Sequence, residues 1–370
     1  MLSRRAFARS LTAFAAVAAT RRAFADDIVD GDEAHPVEAP DALELQTWTW
    51  DKTPFYGAGT TVIVATPKGL APGAQLPLVV LLPGGHHTMQ RHPVGCWGWW
   101  SEYRLGDIDA ALRRGRVEPR DFHDLGRAAD VEWFNGLLSS TPYRGAVLVT
   151  PWVVGRQLDP APHGAMVTEF LRMLVERARA ELPVATTREA TGLGGMSSGG
   201  LWALYAGAGC SDLFGTVVAT QPFTEELLVP LRAAIGARKV PQRLRMVTSE
   251  FDHQRKPTVE LSEALRADGL EHELVEYAGA HSAQFAAGPG GLDALLVFDR
   301  ALRGEQLDGT RPLPPHDGLA LPIAVGDLPP RVPASLQPSQ QVAAVSPRWP
   351  AAAIGVATAA AALAVRRDRG

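Results

Sequence analysis

Residues 76–82 form an almost unbroken apolar run that stops at Pro83-Gly84-Gly85. A strand without polar alternation is buried on both faces, so a chain with several such strands must lay them side by side between two covering layers. Similar runs recur at 145–150, 215–220, 244–248 and 273–277, and a further strand at 191–194 leads into a turn. Segments of helical period lie between them. In 167–182, Phe170, Leu171, Leu174 and Val175 share one face. Helices are also expected at 199–208, 258–268 and 291–302. This interleaving predicts an α/β class with a mostly parallel central sheet and helices on both faces. In such sheets the ligand sits beyond the carboxyl ends of the strands.

One motif in that frame carries chemistry. Gly195-Met196-Ser197-Ser198-Gly199 fits G-x-S-x-G and lies between an expected strand and an expected helix. A hydroxyl is a weak nucleophile unless a tight turn presents it to a base, and flanking glycines let strand and helix close around it. Partners are sought after later strands. Asp252 follows the strand at 244–248, with Glu250 as the competing carboxylate. His281 follows the strand at 273–277, after Tyr277-Ala278-Gly279-Ala280. The order Ser, Asp, His puts each candidate at the same edge of the sheet. The alternative readings are that Asp252 caps the following helix and that His281 is a surface turn residue.

These motifs resemble the α/β-hydrolase superfamily and, within it, the esterase group that includes esterase D and feruloyl esterase-like enzymes. The resemblance spans roughly residues 76–302. It implies an α/β-hydrolase fold in which Ser197 is the nucleophile, His281 the general base and then acid, and Asp252 the residue that orients the imidazole. It also implies an oxyanion hole built from the Ser198 amide and an amide in the turn after residue 82. That turn usually reads His-Gly in the superfamily, whereas this chain has Pro83-Gly84-Gly85-His86; Gly85 is the choice and His86 the alternative. The implied reaction is cleavage of carboxylic esters through an acyl-enzyme, without metal or organic cofactor. A peptidase or acyltransferase of the same fold, or a catalytically silent envelope binding module, are the rival readings.

The connection from 86 to 144 is long for neighbouring strands and carries Trp97, Trp99, Trp100 and Trp133. They are read as packing the insertion against the sheet, with a lid over an acyl or aryl pocket as the alternative. His86, His87 and His92 lack a second cluster with zinc-like spacing, so no metal site is expected. Cys96 and Cys210 are the only cysteines, and spacing leaves open whether they pair.

Both ends differ from the middle. Arg4-Arg5 with Phe7, an apolar stretch at 11–19 and Ala23-Phe24-Ala25 predict a twin-arginine signal peptide over residues 1–25, read by the twin-arginine export machinery. The catalytic domain is then expected at 26–304. Ten prolines between Pro312 and Pro350 make 305–350 an extended linker. Residues 351–365 carry no charge and nine alanines, and Arg366-Arg367-Asp368-Arg369 follows. Fifteen helical residues rise about 22 Å, short of a hydrocarbon core of roughly 30 Å, but the arginines stand where the positive-inside rule wants them, so 351–370 is expected to be a membrane anchor, with an Ala-rich soluble helix as the alternative. The expected location is the periplasm or cell envelope. A hydrophobic share of 46% excludes whole-chain disorder, and a net charge of −4 without a basic, aromatic-interleaved patch excludes nucleic acid as the natural partner.

Overall fold

The structure, a computed structural model, describes residues 40–55, 59–85, 94–153, 160–225 and 227–305. The expected signal peptide, nearly all of the linker, the C-terminal apolar segment, His86, His87 and His92 lie outside the described residues.

Eight strands build one sheet: β1 (Leu43–Trp50), β2 (Thr60–Pro67), β3 (Leu78–Leu82), β4 (Val147–Pro151), β5 (Thr191–Met196), β6 (Thr216–Thr220), β7 (Arg243–Phe251) and β8 (Glu273–Ala280). Their order is β1-β2-β4-β3-β5-β6-β7-β8. The β1–β2 and β2–β4 pairs are antiparallel, and every pair from β4 to β8 is parallel. The expectation of a mostly parallel sheet holds, with an antiparallel edge that the apolar runs did not announce. β1 is half exposed, so it lacks the continuous run that marks a buried strand. β2 is almost wholly buried but is interrupted by threonines.

β3, β4, β5 and β6 are buried at every position. Their side chains therefore feed two cores. Val79, Leu81, Leu148 and Val218 point to one, and Leu78, Val80, Leu82 and Val217 to the other. The first core is closed by α1 (Leu105–Arg113), α2 (Ala128–Ser140) and α8 (Pro289–Ala301). The second is closed by α3 (Pro160–Glu181), α4 (Ser198–Gly209), α5 (Leu228–Gly236) and α6 (Arg255–Ala267). A short helix, α7 (Ala283–Ala287), follows β8. Among the described residues no helix is long and apolar enough to cross a membrane.

The insertion after β3 contributes core. Trp99 and Trp100 are buried. The Trp99 indole donates to Leu82 O at 3.0 Å, and that of Trp100 to Thr150 Oγ1 at 2.9 Å. Each ring therefore fills the core while its one donor meets an acceptor on the sheet, the condition for burying an indole without penalty. Trp133, on α2, meets Phe134 edge-on at 4.9 Å. Trp99 and Trp100 thus pack against the sheet, and Trp133 packs against the rim of the first core.

Cys96 and Cys210 are both buried and are not joined to each other. They belong to the two different cores, so the sheet stands between them. Burial pushes both thiols up to about 12. Beneath the other end of the sheet, Arg245 on β7 is bound by both Asp293 oxygens, at 2.8 and 2.6 Å, and by Glu273 at 2.6 Å. Tyr277 donates to the same Asp293 at 2.6 Å. This buried, fully paired network ties β7 and β8 to α8. The described chain ends at Glu305, which is held by Arg144 at 2.6 and 2.9 Å. The contacts of the domain thus run one residue past Gly304.

Candidate active site

β5 ends at Met196, and Ser197 turns the chain into α4 with φ 55° and ψ −115°. A non-glycine residue in this conformation is strained, by about 1–3 kcal/mol where the surroundings enforce it. Here they do. The Ser197 amide donates to Thr220 O on β6 at 2.9 Å, and Ser197 O accepts from Leu201 N at 3.0 Å and Phe223 N at 3.1 Å. The motif glycines explain the close packing. A Cβ on Gly195 would strike the Gly199 carbonyl, and one on Gly199 would strike Leu82 O of β3. Only hydrogen fits at either place.

β7 ends in a bulge between Ser249 and Phe251, and Asp252 follows. Its side chain is shielded from solvent. Oδ2 accepts from Thr248 Oγ1 at 3.0 Å, and Oδ1 accepts from the Gln254 amide at 2.8 Å. These donors fix the carboxylate in place. His281 follows β8. Its Nδ1 lies 2.8 Å from Asp252 Oδ1, and its Nε2 lies 2.9 Å from Ser197 Oγ. A carboxylate only accepts, so Nδ1 carries hydrogen and Nε2 offers its lone pair to the hydroxyl. The structure brings Ser197, His281 and Asp252 into one continuous relay. Glu250, the competing carboxylate, turns away and pairs with Arg127 at 3.0 Å.

Ser198 opens α4, so its amide lies in the first turn, at the positive end of the helix dipole. Gly85 stands across from it: a Cβ on Gly85 would lie 2.9 Å from Ser198 Oγ. The turn after β3 and the first turn of α4 therefore face each other beside Ser197. The other choice for that turn, His86, is outside the described residues.

Three neighbours escape a reading of strand ends. Gln221, just past β6, has φ 43° and is fully buried. Its Nε2 donates to Ser249 Oγ at 2.6 Å and to Ala280 O at 3.0 Å. It thus ties the bulge before Asp252 to the residue before His281. Tyr103 is buried in the insertion, edge-on to Trp99, and its hydroxyl abuts Gly84 where a Cβ would have to sit. His253 stands over the His281 imidazole, ring centroids 4.4 Å apart. Burial first and the neighbouring His281 second hold its pKa below the usual value. Only Gln221 leaves a faint sequence mark, as the residue before Pro222 at the end of an apolar run. Tyr103 and His253 depend on tertiary approach.

A serine on a strained turn between β5 and α4, with a histidine and a carboxylate at the ends of β8 and β7, on a mostly parallel sheet covered by helices, is the plan of an α/β-hydrolase fold, and this chain has that fold. No protein-family model and no curated protein matches the sequence. Solved structures do. An S-formylglutathione hydrolase from Staphylococcus aureus superimposes with a TM-score of 0.50 at 11% identity, over 70% of this chain and 99% of its own. A ferulic acid esterase does so with a TM-score of 0.50 at 16% identity, over 70% and 98%. At these identities the likeness is one of fold.

Proposed function

We propose that this protein is a serine hydrolase that cleaves carboxylic esters through an acyl-enzyme. The observation that carries the proposal is the relay from Ser197 Oγ through the His281 ring to Asp252, at 2.9 and 2.8 Å. Ser197 Oγ attacks the ester carbonyl carbon while Nε2 of His281 takes its proton. The oxyanion that forms is met by the amides of Ser198 and Gly85. Asp252 stabilises the imidazolium and holds it in place. Collapse of the intermediate expels the alcohol, which leaves with the proton from Nε2. Water then attacks the acyl-serine, Nε2 receives the water proton, and the second collapse releases the acid and returns the proton to Ser197.

Labelling with a fluorophosphonate probe tests the nucleophile. Wild-type protein should be labelled and Ser197→Ala should not. A silent binding module of the same fold would remain unlabelled in both forms. A series of p-nitrophenyl esters of rising acyl length then defines the acyl pocket. The two solved structures named above are an S-formylglutathione hydrolase and a ferulic acid esterase, so a thioester and an ester of ferulic acid belong beside that series. The proposal extends to location: export by the twin-arginine route, and tethering by the apolar segment at 351–365 with the catalytic domain on the outer side.

A further inference from the structure

Among the described residues one trio of His, Cys, Asp and Glu side chains offers three ligand atoms within 4.8 Å of one another: Asp252, His253 and His281. Two of its members belong to the relay and the third does not. His253 Nδ1 lies 3.9 Å from Asp252 Oδ1, the same oxygen that receives His281 Nδ1 at 2.8 Å. The His253 side chain is 61% exposed, whereas those of Asp252 and His281 are 0% and 16% exposed. One ring is thus open to solvent and can turn, while the other two groups are fixed beneath it.

We propose that this trio is an inhibitory zinc site, in which a Zn²⁺ ion bound by His253, Asp252 and His281 reversibly switches the hydrolase off. The proposal rests on the reading of His281 as the general base. Two imidazoles and a carboxylate with a water in the fourth position are a donor set that zinc accepts. Metal–ligand bonds of about 2.0–2.2 Å in a tetrahedron put ligand atoms roughly 3.3–3.5 Å apart. The pair at 2.8 Å must open slightly and the pair at 3.9 Å must close slightly to reach that spacing. Rotation of the exposed His253 ring supplies most of the adjustment.

The consequence for catalysis follows from the two nitrogens of one ring. In the resting relay His281 carries its hydrogen on Nδ1 and its lone pair on Nε2. Zinc takes the Nδ1 lone pair, so the hydrogen moves to Nε2 and no proton is gained or lost overall. Nε2 then donates to Ser197 Oγ instead of accepting from it. The hydroxyl loses its base, and Asp252 loses its hydrogen bond to the imidazole. Removing the metal restores both.

The test compares wild type with His253→Phe, which keeps a ring over His281 but has no ligand atom. Zn²⁺ binding is measured by equilibrium dialysis, and hydrolysis of p-nitrophenyl acetate is followed in the same zinc series and after addition of EDTA. The expected result is one Zn²⁺ per wild-type chain, inhibition that follows occupancy and is reversed by EDTA, and a zinc requirement for half-inhibition at least tenfold higher in His253→Phe. Basal hydrolysis should be retained in that variant. His253→Ala should reproduce the loss of zinc sensitivity, which separates the missing ligand from the ring substituted for it. Equal inhibition of wild type and both variants, or zinc bound without inhibition, would overturn the site. A chain that binds zinc through His253 but hydrolyses no ester would leave the metal site standing and sink the proposed function instead.

Discussion

Ser197 holds the least comfortable backbone geometry in the relay, and the hydroxyl it presents is the group the proposed chemistry needs. Ser197→Ala should lower kcat/KM on p-nitrophenyl acetate by roughly 10³–10⁶-fold, His281→Ala should do nearly as much, and the double variant should be no worse than either. Substantial turnover by Ser197→Ala would end the acyl-enzyme reading. The two carboxylates near β7 make opposite predictions. Asp252→Asn should leave the fold intact and reduce kcat by about 10⁴-fold, because an amide cannot hold the required tautomer. Glu250→Gln breaks only a half-exposed ion pair with Arg127 and should change kcat by less than a few-fold. A reversal of these two effects would move the acid by two positions.

Among the elements, α3 carries a group that ties stability to pH. His163 in its first turns is fully buried between Trp202 of α4 and Phe55, with ring centroids at 4.4 and 6.1 Å. Neither ring nitrogen has a partner among the described residues. Burial pushes its pKa down to about 4. The unfolded chain binds this proton near pH 6.5, so between about pH 6.5 and 4 the unfolded state holds more protons and stability falls as the pH falls. The full effect is about 3 kcal/mol. Urea unfolding at pH 7.0 and 4.5 should show a smaller acid loss in His163→Phe than in wild type; equal losses would exclude His163 as the cause. Element existence is legible where an apolar run, a turn motif or a helical period marks it: β3 to β8, α3, α4, α6 and α8 all fall where the pattern puts them. β1, β2, α1, α2, α5 and the short α7 leave no such mark. The insertion helices bury short apolar faces against partners distant in sequence, as Trp99 does at Leu82. At the site, Ser197, Asp252 and His281 stand at strand ends, a position periodicity does reveal. Gln221 braces them through hydrogen bonds to β7 and β8 that no local pattern encodes.

For the whole molecule, the proposal separates an outer catalytic domain from its tether. The contacts of Glu305 with Arg144 place the cut for a truncated chain beyond Glu305, for example after Gly309. That chain should appear in the soluble fraction after export with unchanged activity on a soluble ester, while the full chain stays with the membrane. Both in the soluble fraction would exclude an anchor at 351–365. Replacing Arg4 and Arg5 together by Lys keeps the charge and should block export of both forms, since the twin-arginine receptor reads the guanidinium pair; unchanged export would point to the general secretory route.

The two buried thiols on opposite sides of the sheet have a consequence for where this chain can mature. With no covalent bridge to form, the native state needs no oxidant, and a reducing compartment is as good a place to fold as an oxidising one. A twin-arginine substrate crosses its membrane already folded, so a fold indifferent to redox potential suits that route. Thermal unfolding with and without dithiothreitol should give the same midpoint, and a fall under reductant would reveal a bridge on which the native state depends.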